Sequence, residues 1–277
     1  MLRRYRDRVE RPRNIRLAQA YQGECDAILA QILNEHETHG THFGPALAFL
    51  DQFGYAAVSM ALVRRILAFP QCEVFLYLDY KDMNRFITDP SKASGFTRTY
   101  GGEEWRGAVE LPESQRRVFL LEKYKESLRH RGNAKYVLAF SMFDPKGQLL
   151  YWLVFCTNHL RGLEEMKKAM WHVDGTGGFR FSDKDCPSQL RLLGEEFGQQ
   201  WLAEELSEKL AGKTLAIKEI QEYVLTHSAC YLFTKALRIL ETSAKRRIQI
   251  LNALPGRRPG TYADDRIRVR FLKTGLF

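Results

Sequence analysis

The residues PALAFLDQFGYAAVSMALVRRILAFPQCEVFLYLDY (45–80) carry the strongest fold signal in the chain. The apolar runs PALAFLD and CEVFLYLDY at the two ends do not alternate with polar residues, which predicts parallel strands covered on both faces. The residues between them at 58–69 have helical spacing, with Ser59 as a candidate N-cap and Pro70 just beyond the end. Strand, helix and strand in this order predict a βαβ unit within a parallel α/β sheet.

The flanking segments extend this sheet. IRLAQA (15–20) reads as a short strand, residues 24–36 have helical spacing, and residues 81–134 read as a polar insertion that ends in a charged helix. YVLAFSMFD and LLYWLVFCTN, joined by PKGQ, predict an antiparallel hairpin. A parallel α/β sheet that finishes in such a pair is typical of class I methyltransferase-like (Rossmann-type) folds, so residues 1–183 are predicted to form such a domain.

The pattern changes after about residue 184. Helices are predicted at 187–210, 214–226 and 232–243, followed by strands at 247–251 and 266–272 around the basic loop LPGRRPGTYADD. Helices followed by a hairpin with a basic tip are the outline of a winged helix, which is the predicted architecture of residues 184–277. The alternative is an α+β dimerisation domain with a solvated arginine face.

Charge is concentrated at the two ends of the chain. The 277 residues carry a net charge of +9, of which +5 falls in residues 1–16 and +7 in residues 245–277, so the middle is mildly acidic. Basic ends on such a chain indicate a polyanionic partner such as nucleic acid. The candidate nucleic-acid-binding residues are Lys245, Arg246, Arg247, Arg257, Arg258, Arg266, Arg268 and Arg270.

Candidate catalytic residues follow the two apolar strands. Asp51 and Asp79 each end a strand, and Tyr55 lies in the loop after Asp51. Open α/β sheets bind ligands at the carboxyl ends of their strands, where an aspartate can act as a base. The alternative is that these aspartates only cap the loops or helices that follow them.

Other features exclude several classes of protein. No apolar run approaches the roughly 20 residues of a membrane span, and no zinc-ligand spacing, Walker A motif or GxSxG motif is present, so no metal site is predicted. The five cysteines are scattered without a CxxC pair. Their spacing predicts a reduced, cytoplasmic protein without a disulfide framework.

Residues 46–86, from ALAFLDQFGY to KDMNRF, resemble the three-Cys-motif partner protein family (TcmP). The likeness continues through GGEEWR (101–106), the KYKESLR helix (123–129), the stretch KYVLAFSMFDPKGQLLYWLVFCTNHLRGLEEMKKAMW (135–171) and RRPGTYADDRIRVRFL (257–272). The resemblance implies a methyltransferase-like Rossmann domain joined to a winged helix, and a partner that is a radical-SAM-like three-Cys-motif protein.

The chain departs from that family in two ways. Gln52 stands where the family usually has proline, and residues 1–14 hold neither a strand nor the glycine-rich turn that approaches S-adenosylmethionine (SAM). We therefore expect the chain to begin at the third strand of the methyltransferase-like fold. Another chain or a second copy would have to supply the missing strands.

Three functions remain open at this stage. The first is a TcmP-like, nucleic-acid-binding partner protein whose scaffold no longer binds SAM by itself. The second is an active SAM-dependent nucleic-acid methyltransferase or modifier completed by another chain, with its site at Asp51, Tyr55 and Asp79. The third is a protein–protein adaptor that binds no nucleic acid.

Overall fold

The structure, a computed structural model, describes residues 21–41, 43–51, 58–174, 180–182, 194–228, 230–244, 246–263 and 266–273, with 180–182 and 194–197 described as backbone alone. The described α-helices are α1 (Cys25–His39), α2 (Met60–Ala68), α3 (Tyr80–Phe86), α4 (Ala93–Tyr100), α5 (Glu113–His130), α6 (Leu160–Val173), α7 (Gly194–Lys209), α8 (Ile217–His227) and α9 (Phe233–Thr242). The described strands are β1 (Ala46–Leu50), β2 (Cys72–Leu78), β3 (Tyr136–Phe143), β4 (Leu149–Thr157), β5 (Arg180–Ser182), β6 (Thr214–Ala216), β7 (Ile248–Leu251) and β8 (Arg268–Phe271).

The larger sheet is mixed and has the strand order β1-β2-β4-β3-β5. β1 and β2 pair in parallel, which confirms the predicted βαβ unit. β4 runs antiparallel to both neighbours and lies between β2 and β3, so the predicted hairpin is also confirmed. The hairpin turn is held by Asp144, whose carboxylate accepts hydrogen bonds from the backbone N–H groups of Lys146 and Gln148 at 2.8 Å each.

The connecting helix α2 forms as its sequence predicts. The Ser59 hydroxyl caps its first turn by accepting a hydrogen bond from the Leu62 N–H at 3.3 Å. Leu62, Val63 and Ile66 then bury one helical face against the sheet. Burial of these aliphatic side chains, at roughly 25 cal/mol per Å² of apolar surface, is what fixes the helix on the sheet.

The expectation that β1 is covered on both faces is wrong, whereas its central position stays a prediction. Among the described residues β1 pairs with β2 alone, and the side chains of Leu47 and Phe49 are 59% and 58% exposed. An uninterrupted apolar run does not distinguish a covered strand from an edge strand that presents one apolar face outward. The predicted strand at 15–20 lies outside the described residues.

The segment 81–134 is largely helical and belongs to the core. Phe96, Tyr100 and Trp105 are at most 1% exposed and lie in the same apolar cluster as the sheet residues Val74 and Leu76. The polar residues between these aromatic side chains are what made the segment resemble a peripheral insertion. It therefore forms one of the layers that cover the larger sheet.

A second sheet, of order β6-β8-β7, follows the helices α7, α8 and α9. Residues 214–216, predicted as the start of a helix, form β6 because Leu215 pairs with Val269 of β8. This sheet and its helices share a separate apolar core around Leu206, Leu237 and Phe271. None of the described helices has the length and apolar character needed to cross a membrane.

Candidate functional site

The strand β8 separates apolar from basic side chains as its alternation predicts. Val269 and Phe271 are at most 1% exposed, whereas Arg268 and Arg270 face solvent. Because side chains alternate across a strand, both arginines lie on the outer face of the second sheet, about 6.8 Å apart along the chain. We call these two residues the basic sheet face.

No carboxylate neighbours the basic sheet face in the sheet. Thr214 and Gln249 lie opposite Arg270, and Ala216 and Leu251 lie opposite Arg268. Within the described part of the chain neither arginine forms an ion pair. Both guanidinium groups are therefore available to an external anion.

Arg257, one of the predicted nucleic-acid contacts, is anchored within the protein. Its guanidinium forms an ion pair with Glu241 in which both side chains are only 13% exposed, and it also donates to the Thr261 carbonyl at 2.8 Å. Glu241 accepts two further hydrogen bonds, each of 2.9 Å, from the Gly260 N–H and the Tyr262 hydroxyl. Together these bonds attach residues 252–263, which we call the hairpin loop, to helix α9.

The pKa of Glu241 reflects this network. Burial raises the pKa, but the hydrogen bonds from Gly260, Arg257 and Tyr262 outweigh that effect and hold it below its ordinary value. Burial and the hydrogen bond to Glu241 raise the pKa of Tyr262. Glu241 is therefore an ionised acceptor and Tyr262 a neutral donor near neutral pH, as the anchoring role requires.

The remaining candidate residues divide into free and engaged side chains. Arg246 and Arg258 are exposed and make no ion pair within the described residues. Arg247 pairs with Glu204, and Arg266 is exposed but already engaged in an interaction. Lys245 lies outside the described residues. Of the predicted set, Arg246, Arg258, Arg268 and Arg270 are thus the exposed arginines left for an external ligand.

Helix α9 adds two basic residues that sequence reasoning missed. Lys235 and Arg238 lie on its exposed face, whereas Ala236, Leu237 and Leu240 are buried. The two residues lie three positions apart, so they share one face of a predicted helix that precedes a basic hairpin. This pattern could have identified them from the sequence. Lys235 is itself engaged in an interaction.

Arg238 also connects α9 to the hairpin loop. Gly260 has φ +84°, and a Cβ atom built there would lie 2.8 Å from Cδ of Arg238. The aliphatic part of Arg238 therefore lies directly over Gly260, which places its guanidinium beside the loop that carries Arg258. We call Arg238 and Arg258 the helix–loop pair.

At the carboxyl edge of the larger sheet, Asp79 caps the helix that follows it, which was the alternative to a catalytic role. It is the N-cap of α3, and its carboxylate accepts a hydrogen bond of 2.9 Å from the Asp82 N–H. Asp51 is exposed at the end of β1, and Tyr55 lies outside the described residues. The structure therefore gives Asp79 a capping role, whereas no described contact gives Asp51 a structural role.

Two tyrosines that the sequence analysis did not single out accompany these aspartates. The rings of Tyr77 and Tyr151 lie 4.4 Å apart, centroid to centroid. Burial, together with the negative charges of Asp79, Asp51 and Asp82, raises the pKa of Tyr77 to about 12. Tyr77 thus remains a neutral phenol near neutral pH and can donate or accept a hydrogen bond at this edge.

The described residues contain no group of three or more histidine, cysteine or carboxylate side chains placed to hold a metal ion. No family model, no curated protein and no solved structure matches this chain.

Proposed function

We propose that this chain is a nucleic-acid-binding protein, and that helix α9 and the hairpin loop form its contact surface. The observation that carries the proposal is the placement of Arg238 over Gly260, which brings a basic residue of α9 beside the basic loop. A helix that presents cationic side chains beside a basic loop can contact a groove and the adjoining phosphates together.

The order of the elements supports a winged-helix architecture for this region. Helix α7, strand β6, helices α8 and α9 and then the hairpin β7–β8 follow one another along the chain, with β8 central in the sheet. In helix-turn-helix proteins the second helix of the motif enters the major groove, and α9 has that position here. The basic sheet face supplies two further cations for the phosphate backbone.

The test is DNA and RNA binding by fluorescence anisotropy over a range of salt concentrations. Log K falls as log salt rises, and each lost phosphate contact makes this slope shallower by about 0.9. The double variant Arg238→Ala/Arg258→Ala is expected to weaken binding and to lower this slope by up to about two units. Arg64→Ala, which removes an exposed arginine from α2, is the matched control and is expected to bind like wild type.

A second double variant, Arg268→Ala/Arg270→Ala, distinguishes the contribution of the basic sheet face to binding from that of the helix–loop pair. A larger loss here than in the helix–loop double variant would move the contact surface to the sheet and contradict the proposed role of α9. If the wild-type chain shows no salt-dependent binding to DNA or RNA, nucleic-acid binding is excluded. The adaptor function, in which the arginines bind acidic protein surfaces, then remains.

The topology of the larger sheet supports a methyltransferase-like scaffold. In that fold a late strand inserts antiparallel into an otherwise parallel sheet, and β4 lies antiparallel between β2 and β3. The short strand β5, which follows β4 in the chain, adds to the sheet in parallel with β3. The described residues place no strand with a glycine-rich turn beside β1, so they do not provide the cradle that SAM needs.

Strand β1 pairs with β2 alone among the described residues, and its exposed apolar side chains support the proposed partner, a three-Cys-motif protein. Leu47 and Phe49 are both more than half exposed, and Phe49 stacks on Phe75 of β2 at 5.6 Å. An edge strand with an apolar outer face can be completed by a strand from another chain. Calorimetry with a purified three-Cys-motif protein tests this, and Phe49→Lys is expected to weaken binding where Arg64→Ala does not.

An active modifying enzyme is the second candidate, and the acidic edge with Asp51, Tyr77 and Asp79 favours it. In this role Asp51 would be the base, because Asp79 is already engaged as a helix cap. Asp51→Asn is expected to abolish any modification of nucleic acid while leaving nucleic-acid affinity unchanged. Retained turnover in that variant would exclude an essential ionised Asp51.

A further inference from the structure

A cavity of about 730 Å³ lies where the larger sheet meets helix α8. Its walls come from α5, β3, α6 and the C-terminal end of α8. Pockets that hold small molecules have volumes of about 300–1,000 Å³ and frequently lie between structural units. The cavity shares no residue with the basic sheet face, the helix–loop pair or the acidic edge.

The charged residues in the walls of the cavity are mostly basic. Lys125 and Arg129 of α5, Lys135 at the start of β3 and Lys167 of α6 line it, and Glu222 is the one carboxylate among its lining residues. These cations come from three separate segments, so the fold, and not a single solvated helix face, brings them together. Such a convergence favours an anionic ligand.

Lys125, Lys135 and Arg129 differ in whether they form ion pairs within the protein. Lys125 pairs with Glu122 at 2.8 Å, and Lys135 pairs with Glu222 at 3.3 Å. Arg129 makes no ion pair or hydrogen bond within the part of the chain that the structure describes. Its guanidinium is therefore the free anion-binding group at the mouth of the cavity.

The deep wall is formed by Lys167 and Ser228. Lys167 is 2% exposed, and its ammonium donates to the carbonyl of Val224 at 3.3 Å and to that of Ser228. Ser228 is 5% exposed, and its buried hydroxyl has no hydrogen-bond partner among the described residues. A buried hydroxyl without a partner costs free energy, so this wall retains hydrogen-bonding capacity that a ligand can satisfy.

Much of the remaining lining is apolar. Leu121, Val137, Leu163 and Leu225 contribute to it, and Leu163 and Leu225 are at most 2% exposed. A ligand that fits both kinds of wall has an anionic group and a less polar body. Guanidinium, ammonium and hydroxyl groups together are typical donors to phosphate oxygens.

We propose that this cavity binds a small organic phosphate, with the phosphate held by Arg129 and the basic wall and the organic body against the leucine side chains. The ligand would contact both the larger sheet and α8, so its binding also links the two halves of the chain. The proposal goes beyond nucleic-acid binding, because the cavity and the proposed nucleic-acid surface have no residue in common.

The test is isothermal calorimetry on the full chain in a buffer free of phosphate, with AMP, inorganic phosphate and adenosine as probes. AMP is expected to bind, inorganic phosphate to bind more weakly, and adenosine to show no binding. Arg129→Ala is expected to weaken AMP binding by roughly ten- to a hundredfold, the usual effect of losing a charge-assisted hydrogen bond. Arg117→Ala, an exposed arginine of the same helix outside the cavity, is the matched control.

A second variant separates a ligand contact from a structural effect. Ser228→Ala is expected to weaken AMP binding without lowering the free energy of unfolding, because the hydroxyl it removes has no partner within the described protein. No heat with AMP and inorganic phosphate at millimolar concentration would overturn the proposal. So would equal affinities for adenosine and AMP, or equal affinities of Arg129→Ala and Arg117→Ala for AMP.

Discussion

At the scale of single residues, neighbouring arginines of the hairpin loop have different roles. Arg257 and Arg258 are adjacent in sequence and chemically identical, yet Arg257 forms a mostly buried ion pair with Glu241 and Arg258 is exposed. Local sequence does not contain this difference, because Glu241 lies 16 positions away on α9. The partner of an ionic side chain is set by the fold.

The first prediction separates the two arginines. Arg257→Ala is expected to lower the free energy of unfolding by roughly 2 kcal/mol, because it leaves the Glu241 carboxylate partly buried without its charged partner. Arg258→Ala is expected to leave stability unchanged and to lower the salt slope of nucleic-acid binding by about one unit. Urea unfolding and anisotropy measure the two effects. Equal stability of the two variants would contradict the anchoring role of Arg257.

The second prediction concerns Lys167 and pH. Burial lowers the pKa of Lys167 to about 8 from its ordinary 10.5, with the opposing influence of Cys230 and Glu205 nearby. Between these two pH values the unfolded chain binds more protons than the folded chain, so this group makes stability rise with pH over that interval. The full effect is on the order of 3 kcal/mol.

The measurement is urea unfolding of wild type and Lys167→Met between pH 7.5 and about pH 9.5. Cys230, whose pKa burial raises, contributes a fall in stability over the same interval, and it is present in both proteins. The difference between the two curves therefore reports Lys167 together with its influence on Cys230. A difference that does not change with pH would show that the lysine pKa is not lowered.

At the scale of elements, helix α3 depends on the residue that ends β2. Asp79 caps its first turn through the Asp82 N–H, and α3 packs on β4 with the ring of Tyr80 against that of Trp152. The same aspartate was a candidate catalytic residue. A capping contact and a catalytic role make different predictions for conservative substitution.

The third prediction therefore compares two substitutions of Asp79. Asp79→Ala is expected to lower the free energy of unfolding by about 1 kcal/mol, whereas Asp79→Asn keeps a side-chain oxygen for the cap and is expected to change it by a few tenths. Thermal unfolding measures both. An equal loss in the two variants would mean that the negative charge, and not the capping hydrogen bond, stabilises α3.

The fourth prediction concerns the connection between α9 and the hairpin loop. Gly260→Ala places a Cβ atom 2.8 Å from Cδ of Arg238 at a residue with φ +84°, so it is expected to destabilise the loop and displace Arg238. Nucleic-acid affinity is expected to fall about as far as in Arg238→Ala. Gly256→Ala is the control, since Gly256 has φ +79° and no atom within 4 Å of its would-be Cβ. It reports the effect of backbone strain alone.

At the scale of the whole molecule, the described residues form a sheet whose β1 edge is unpaired and a second, smaller core joined to it through Tyr136, Leu163 and Leu225. The fifth prediction is that the chain on its own does not bind SAM, because the described part offers no glycine-rich turn beside β1. Calorimetry with SAM tests this. Micromolar binding by the isolated chain would contradict the proposal of a scaffold that does not bind the cofactor by itself.

Much of this architecture could be predicted from local sequence patterns. The β1–α2–β2 unit, the β3–β4 hairpin and the alternation of β8 all follow from apolar periodicity, caps and turn residues within about 40 positions of one another. The exposure of Leu47 and Phe49 on β1 and the core role of residues 81–134 could not, because both depend on which segments pack against them. The same limit applies to the site: the exposure of Arg268 and Arg270 was predicted, and the anchoring of Arg257 was not.

The sequence by itself determined the β1–α2–β2 unit and the β3–β4 hairpin, that the C-terminal hairpin presents arginine on one face, and that charge concentrates at the C-terminal end. These properties depend on the periodicity and composition of short segments, which the chain carries whether or not it is folded. Only the tertiary structure decided which arginines are free, which aspartate is a cap, and that Lys125, Arg129, Lys135 and Lys167 line one cavity. Those outcomes depend on distances between residues far apart in the chain, and packing alone sets such distances.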